Sequence, residues 1–376
     1  MELRYSKEQE AMQTAVRAFA ELEIAPIVFK MEQDETFPIE LIRKMSQQSL
    51  MGIPIPSELG GAGADFISYI IAVNEISKVS AAVGVILSVH TSVGTIPIMQ
   101  YGTDEQRVKY VQQLASGEYL GAFALTEPQA GSDASAIRTT AVYDGDQYVL
   151  NGSKIFITNA GVADLYITFA VTDSSLGPAG LTAFLIERHT QGLHIGPKEK
   201  KMGLHGSNTC ELIFTDMKIP VSQRLGKEGD GFAIAKGSLD GGRIGIGAQA
   251  LGIAEAAVQL LEQILNGKWH GKKKLKPYHA EIADLITQVE AARLLVYHAA
   301  YRRQEGLPCT KEASIAKMFA SDTAVKVTGA AVRLLGKEGC MKELSAERLF
   351  RDAKVTQIYE GTNEIHRIVI SQQLLR

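Results

Sequence analysis

The chain has 376 residues, of which 45% are apolar and 22% are charged, and its formal net charge is -3. That balance argues against nucleic acid or an anionic membrane as a partner, and no stretch approaches the roughly 20 apolar residues that span a bilayer. The polar start has no signal-peptide pattern, and three scattered cysteines indicate neither a disulfide frame nor a zinc site. We therefore expect a cytoplasmic globular protein of two or three structural units with no metal.

Residues 1–121 are predicted to form an N-terminal helical domain. Ser6 followed by Gln9 has the pattern of a capping box. The apolar residues that come after it recur at helical spacing. An almost uncharged run over residues 80–99 predicts a helix that is buried on most sides and broken at Pro97.

Residues 122–230 are predicted to form a middle β domain. The chain here is rich in Val, Ile, Thr, Phe and Tyr, in short runs split by turns. The runs 165–171 and 181–186 predict strands. The pairs Asp144-Gly145 and Asn151-Gly152 are of the type that forms hairpin turns.

Residues 231–376 return to the helical period and are predicted to form a C-terminal domain. Long amphipathic segments with short connections, one of them starting at Ile244, suggest a four-helix bundle. The last segment, residues 345–374, is interrupted near Gly361. The predicted fold class is therefore α+β multidomain, in the order helical, β, helical.

A Glu-Gly-Thr break inside the last segment needs a physical reason, because glycine costs about 1 kcal/mol in a helix interior. One interpretation is a helix end, with Thr362 as a new N-cap and Glu364 in the first turn. The other is that Gly361 opens the backbone so that the carboxylate of Glu360 enters a cavity. The residues alone leave both interpretations open.

Three further blocks each have an ordinary and a functional interpretation. Residues 123–133 form either a Pro-Gly turn after a strand or a strand end whose amides and Thr hydroxyl bond the polar edge of a ring. In residues 154–159, Phe156 is either a core aromatic or a stacking platform. The Asp-Gly-Gly-Arg run in residues 239–246 is by itself more often a helix N-terminus with a solvated Arg. Each of the eight histidines is most simply a surface residue or a satisfied core residue.

Taken together and in this order, the four blocks resemble the signatures of the acyl-CoA dehydrogenase family, closest to its short-chain (butyryl-type) members. The resemblance covers essentially the whole chain. It implies the acyl-CoA dehydrogenase fold, with an N-terminal helical domain, a middle β domain and a C-terminal four-helix bundle. It also implies FAD-dependent oxidation of a short, straight or branched acyl-CoA to the 2-enoyl-CoA, with electrons passed to an electron-transfer flavoprotein, in a homotetramer.

The resemblance assigns roles to particular residues. Glu360 would be the catalytic base that takes the α-proton, a role that burial assists because desolvation raises a carboxyl pKa. Gly242 occupies the position from which isovaleryl and long-chain members supply their base instead. The residues implied to bind the flavin are Phe123, Leu125, Thr126, Ser132, Phe156, Ile157, Thr158, Thr362, Asn363 and Glu364. Those implied to bind the substrate are Ser132, Asp240, Arg243, Tyr359 and Gly361.

Two family motifs are altered, and both belong to the half-site that holds the adenosine end of FAD from a neighbouring subunit. Residues Leu265–Lys276 lack the expected Arg and Phe-Gly pair, and Arg333–Cys340 have Arg for Gln and Lys for the second Gly. Three explanations stay open. Nearby basic residues compensate as phosphate partners; the chain pairs with a different dehydrogenase subunit; or FAD binds weakly, leaving a non-redox acyl-CoA-binding or partner subunit. The basic residues are Lys268, Lys272, Lys273, Lys274, Arg333 and Lys337.

Two further properties stay open on the sequence alone. Residues 86–99 are expected to line the acyl pocket, but their volumes do not fix the length or branching of the acyl chain. The resemblance also does not separate a dehydrogenase from an oxidase that passes its electrons to oxygen.

Overall fold

The computed structural model describes residues 4–265 and 278–375, and within them helices precede and follow a single large sheet. The helices are α1 Lys7–Phe19, α2 Ala25–Asp34, α3 Ile39–Gln47, α4 Phe66–Val79, α5 Ala81–Val89, α6 Ile96–Tyr101, α7 Asp104–Gln106, α8 Gln112–Ser116, α9 Gly231–Leu265, α10 His279–Gln304, α11 Thr310–Leu335, α12 Ala346–Thr356 and α13 Asn363–Leu374. The strands are β1 Gly121–Ala124, β2 Thr140–Asp144, β3 Gln147–Thr158, β4 Leu165–Val171, β5 Leu181–Glu187, β6 Leu193–Lys198, β7 Thr209–Pro220 and β8 Arg224–Leu225. The predicted order helical, β, helical is confirmed, while the boundaries at 121 and 230 stay predictions.

The N-terminal helices begin and bend where the sequence gives a reason. The side chain of Ser6 accepts from the backbone N–H of Gln9, and the side chain of Gln9 accepts in return, so the predicted capping box is present. The predicted break at Pro97 is wrong. The irregular turn is the π-helical segment His90–Thr95, and Pro97 lies in the first turn of α6, where its missing N–H costs little.

Two helical stretches are longer and more apolar than predicted. Ala81–Tyr101 and Gly231–Gln263 are each long and apolar enough to cross a membrane, so the expectation that no such stretch exists was wrong. In the fold these stretches are core elements, with 94% and 83% of their apolar windows buried. Helix α9 packs against α4 and α5 and also against α11, which joins the two helical domains.

The middle domain is a sheet in the order β6-β7-β3-β2-β4-β5-β8, with β1 parallel to β4. Strands β2 and β3 meet at the predicted Asp144-Gly145 turn, where Gly145 has a φ of 74°. Asn151-Gly152 is not a turn, contrary to the prediction, because β3 runs through it and pairs with β7. Gly152, with a φ of 145°, lies instead at a β-bulge, which requires the same conformational freedom as a hairpin turn.

The C-terminal domain packs α9, α10, α11 and α12 together, with α13 against α11. Helix α9 begins at Gly231 and not at the predicted Ile244. The last predicted segment is two helices, α12 and α13, separated by residues 357–362. This separation takes Glu360 out of helical conformation and is the feature of the fold that makes the site.

A buried ionic network fixes the N-terminal helices to the C-terminal ones. Glu75 of α4 pairs with Arg17 of α1 at 3.1 Å and with Lys78 at 2.8 Å. Lys78 also reaches Glu255 of α9 at 3.0 Å, and Arg293 of α10 pairs with the same carboxylate at 2.9 Å. The two glutamates are almost completely buried, so this pairing is needed to offset their desolvation.

Candidate active site

Glu360 lies in a strained turn between α12 and α13. Its φ is 54° and that of Gly361 is 92°, and only the second residue adopts such a conformation without a steric cost. The N–H of Asn363 closes the turn on the carbonyl oxygen of Gln357 at 3.0 Å. Thr362 caps α13 by accepting from the N–H of Ile365 at 3.3 Å. Both features that were considered for the Glu-Gly-Thr break are therefore present: a helix starts after its N-cap at Thr362, and the turn before it redirects Glu360.

The carboxylate of Glu360 is pressed against α9 at Gly242. A Cβ atom added to Gly242 would lie 2.7 Å from Oε2 and 2.9 Å from Cδ of Glu360, so a larger residue there would displace the carboxylate. Oε2 is shielded from solvent and has no hydrogen-bond partner. Burial raises the pKa of Glu360 to about 7, although Arg243 and Lys317 act in the opposite direction. A carboxylate with one unpartnered oxygen and a pKa near neutrality is suited to take a proton.

Several of the residues predicted to bind substrate lie in or beside the turn that carries Glu360. Arg243 donates to Asp240 at 3.0 Å, and both side chains are largely buried, so this Arg is not the solvated residue of the ordinary interpretation. The hydroxyl of Tyr359 donates to Gln249 of α9, and Gly361 neighbours Glu360 directly. Ser132 lies exposed in the segment after β1.

The segments predicted to bind the flavin are adjacent to each other. The N–H of Ile155 donates to the carbonyl oxygen of Thr126 at 2.9 Å, which joins the end of β1 to β3. An irregularity in β3 between Lys154 and Ile157 gives Phe156 a φ of 57° and leaves it 62% exposed. Phe156 is therefore not a core aromatic but a large ring displayed at the surface of the sheet.

The other residues predicted to bind the flavin differ in burial. Phe123 packs its ring on that of Phe169, with centroids 5.0 Å apart. Thr126, Thr158 and Thr362 are half-buried and Glu364 is exposed, whereas three side chains are buried: Leu125, Ile157 and Asn363.

A buried ion pair ties these two segments together, and sequence reasoning gave it no role. Lys154 donates to Glu127 at 2.7 Å and to the carbonyl oxygen of Leu125 at 3.2 Å. Glu127 also accepts from the N–H groups of Arg138 and Thr139 at 2.6 and 3.0 Å. Burial lowers the pKa of Lys154 to about 8, against the pull of Glu127. Burial alone would raise the pKa of Glu127, but Lys154 and the hydrogen bonds from Thr139 and Arg138 together outweigh burial, and the pKa is lowered.

Lys317 and His366 are two further buried groups that sequence reasoning missed. Lys317 of α11 is fully buried and donates to the carbonyl oxygen of Gly361 at 2.6 Å and to Oδ1 of Asn363 at 3.0 Å. His366 of α13 is buried beside Gly361; its ring nitrogens make no hydrogen bond of normal geometry, although the backbone of Glu360 and Gly361 lies within reach of the ring. The available sequence signal was a lysine on the Ala- and Ser-rich face of a helix.

The structure describes only part of the two altered motifs. Helix α9 runs to Leu265, and residues 266–276 of the altered motif lie outside the described residues. Arg333, at the end of α11, forms an ion pair with Glu281 of α10, so part of its charge is already matched. Lys337 is exposed. In the parts of the chain that the structure describes, no group of three or more His, Cys, Asp or Glu residues could hold a metal ion.

Family models match almost all of the chain in three consecutive parts. Residues 6–118 match the acyl-CoA dehydrogenase N-terminal domain, residues 122–217 the middle domain, and residues 229–375 the C-terminal domain. An acyl-CoA dehydrogenase of Bacillus subtilis is 55% identical and covers 99% of both chains. A short-chain specific acyl-CoA dehydrogenase of Clostridium acetobutylicum is 49% identical and covers 100% of both.

Two solved structures also match the chain over its full length. The butyryl-CoA dehydrogenase of Megasphaera elsdenii has a TM-score of 0.97 and 45% identity, covering 100% of each chain. A chain solved in work on the electron transferring flavoprotein of Acidaminococcus fermentans has a TM-score of 0.97 and 47% identity, again over 100% of each chain.

We predict that Glu127→Gln destabilises the protein strongly, because it leaves the ammonium group of Lys154 buried without its charged partner. The expected loss is about 3–5 kcal/mol in the free energy of unfolding. Urea denaturation of the apoprotein, followed by circular dichroism, measures it. Glu40→Gln is the matched control, because Glu40 pairs with Arg43 at 2.5 Å on an exposed surface and should lose no more than about 1 kcal/mol. Equal losses in the two variants would contradict a structural role for the buried pair.

Proposed function

Because the chain belongs to the acyl-CoA dehydrogenase family, we propose that it catalyses the FAD-dependent oxidation of a short-chain acyl-CoA to the 2-enoyl-CoA. The observation that supports this proposal most strongly is the environment of the Glu360 carboxylate. It is buried against Gly242, unpartnered at Oε2, and its pKa is raised to about 7. Those properties are required of a base that removes a weakly acidic proton from carbon at neutral pH.

The residues predicted to hold the flavin are suited to a planar ring system. Phe156 offers an exposed aromatic face on a backbone that is locked in place by the bulge in β3. The ion pair of Lys154 and Glu127 holds the neighbouring segment around Leu125 in register. FAD, when bound, supplies the acceptor for the hydride that leaves the β-carbon of the substrate. The chain itself supplies the platform, the proton acceptor and the shielding from water.

Glu360 takes the α-proton in the proposed reaction. A thioester acidifies the C–H bond next to it, and a desolvated carboxylate is a stronger base than one in water. The backbone N–H of Glu360 is proposed to donate to the thioester oxygen, which stabilises the charge that develops there as the proton leaves. Glu360 thus provides both the carboxylate that takes the proton and the backbone N–H that donates to the thioester oxygen. The fixed backbone of the turn sets the distance between these two groups.

Arg243 and Asp240 are proposed to face the CoA part of the substrate. Arg243 is held by Asp240, yet its Nε is buried with no hydrogen-bond partner, which leaves donor capacity for a ligand. Asp240 is itself fixed by Thr310, whose hydroxyl donates to it at 2.5 Å. The pair is therefore oriented before substrate arrives.

A short acyl chain fits the close packing behind Glu360. A Cβ atom added to Gly245 would lie 2.4 Å from Oγ of Ser88 and 3.3 Å from the hydroxyl of Tyr69. Helices α9 and α5 are therefore in near contact beside Tyr69, which is fully buried. This close packing supports the proposal that butyryl-CoA or a short branched homologue is the substrate.

We predict that Glu360→Gln retains acyl-CoA binding and loses dehydrogenation, because the amide keeps the shape of the side chain but cannot accept the α-proton. The expected decrease in enoyl-CoA formation is at least about 10²-fold. Calorimetric titration with butyryl-CoA measures binding, and chromatography of the products measures turnover. Glu58→Gln, at an exposed position remote from the site, is the control and should behave as wild type. Normal turnover in the Glu360 variant would refute the assignment of the base.

The proposed electron acceptor is an electron-transfer flavoprotein. Support comes from the similarity to a chain solved in work on such a flavoprotein. Turnover of a series of straight and branched acyl-CoA substrates should be fastest near butyryl-CoA and should require electron-transfer flavoprotein or an artificial dye. Oxygen consumption at the same rate without an added acceptor would instead identify an oxidase.

We further propose a homotetramer in which the altered half-site still accepts FAD. The family resemblance supports the tetramer, and the exposed Lys337 remains available as a phosphate partner. Light scattering of protein made from this chain alone should give the mass of four chains with a full complement of FAD. A flavin-free product that gains FAD only when a second dehydrogenase subunit is co-expressed would favour the mixed oligomer.

A further inference from the structure

Lys317 is a fully buried cation that contacts the turn carrying Glu360. It lies on α11, and a Cβ atom added to Gly247 of α9 would be 3.6 Å from its backbone nitrogen, so the lysine is enclosed between two long helices. Its ammonium group donates to the carbonyl oxygen of Gly361 at 2.6 Å and to Oδ1 of Asn363 at 3.0 Å. A buried lysine carries a large desolvation cost, so its presence here needs a compensating role.

The neighbours of Lys317 on α11 complete the attachment of the turn. The side-chain amide of Asn363 donates to Ser321 at 2.9 Å and to Asp322 at 2.8 Å. Asp322 accepts also from the side chain of Gln357 at 2.6 Å. Both ends of the turn are thereby fixed to one helix, and Lys317 alone of these groups reaches the peptide next to Glu360.

The ionisable groups that face Glu360 come from four helices and from the turn itself. Arg243 of α9 carries a charge that Asp240 already matches. Burial lowers the pKa of His366 of α13 to about 3 and raises the pKa of Tyr69 of α4 to about 12, so these two are neutral near pH 7.

Tyr359, in the turn itself, is neutral as well, because burial raises its pKa. Lys317 of α11 differs from these groups: its two hydrogen bonds go to neutral oxygens, and of the carboxylates that raise its pKa, Glu360 acts most strongly, ahead of Asp322 and Glu364.

We propose that Lys317 is a positioning residue for the base, fixing the Gly361 peptide through its hydrogen bonds and favouring the ionised carboxylate of Glu360 through its charge. The geometric part does not depend on the reaction. The effect of the charge on the pKa of Glu360 does not depend on the reaction either, but its consequence for catalysis rests on the proposed function of Glu360. Burial lowers the pKa of Lys317 to about 7, so its charge acts on Glu360 at and below neutral pH and fades above it.

The test compares Lys317→Met, which removes both donor and charge, with Lys317→Arg, which keeps a charge. Lys326→Met is the matched control, because Lys326 lies on the exposed face of the same helix. Infrared titration of the FAD-bound protein follows the carboxylic C=O band of Glu360, identified by its loss in Glu360→Gln. Circular dichroism establishes that each variant is folded, and Lys317→Gln takes the place of the Met variant if that one does not fold.

We expect the midpoint of the Glu360 band to rise by about one pH unit in Lys317→Met, because an opposite charge nearby is lost. Lys317→Arg should return the midpoint toward the wild-type value, and Lys326→Met should leave it unchanged. An unchanged midpoint in folded Lys317→Met or Lys317→Gln would overturn the electrostatic role.

Kinetics then separates this inference from the proposed function. At pH 7 the rate of enoyl-CoA formation should fall about fivefold in Lys317→Met, because a rise of one unit in the pKa of Glu360 lowers its ionised fraction by that factor, with the KM for butyryl-CoA little changed. The rate should recover in part as the pH rises, because the ionised form of Glu360 is restored. If wild type oxidises no acyl-CoA, the proposed function fails, yet the infrared comparison still decides the role of Lys317. A rate equal to wild type at pH 7 would contradict the inference.

Discussion

The structure depends on one constraint, which is that the carboxylate of Glu360 is held against Gly242 with its Oε2 atom shielded from solvent and without a hydrogen-bond partner. Such a group is costly, since a buried polar atom that loses its contacts with water normally regains them from the protein. The chain accepts further costs to hold it there. Glu360 adopts a left-handed backbone conformation, α9 carries a glycine at position 242, and Lys317 is buried beneath the turn. Local departures of this kind concentrate at functional sites.

The three-part architecture holds the turn that carries Glu360 in place. Helices α5 and α9 form a common apolar core, so the turn between α12 and α13 rests against an element that is itself held by α4, α5 and α11. The sheet is attached to the same core, because Asn159, at the end of β3, donates to the carbonyl oxygens of Ile86 and Gly121. The displayed ring of Phe156 and the carboxylate of Glu360 are thus held by one continuous framework, as a reaction between a substrate and a flavin requires.

Much of the fold was predictable, and the errors have common physical causes. Periodicity and capping predicted the helical and β parts correctly, because those signals are local. Pro97 and Asn151-Gly152 were misread because a proline also fits a first helical turn and a glycine pair also fits a bulge. The local sequence does not distinguish a helix break from a first helical turn, or a hairpin turn from a bulge. The strand or helix that packs beside the residue decides between them.

At the site, Glu360 and Gly242 were identified through motifs, but their contact joins residues far apart in the chain. Lys317 and the pair of Lys154 with Glu127 were missed for the same reason. A lysine in an Ala-rich helix gives no local sign that it is buried, and only the packing of α11 against α9 reveals it.

The visible absorption spectrum of protein purified from this chain alone, recorded before and after anaerobic addition of butyryl-CoA, tests the central claim most directly. That claim is that Glu360 and the flavin segments form one working dehydrogenase site. The account predicts flavin bands that bleach on addition of butyryl-CoA. A protein that remains colourless after incubation with FAD, or one whose flavin bands persist in the presence of short acyl-CoA substrates, would contradict it.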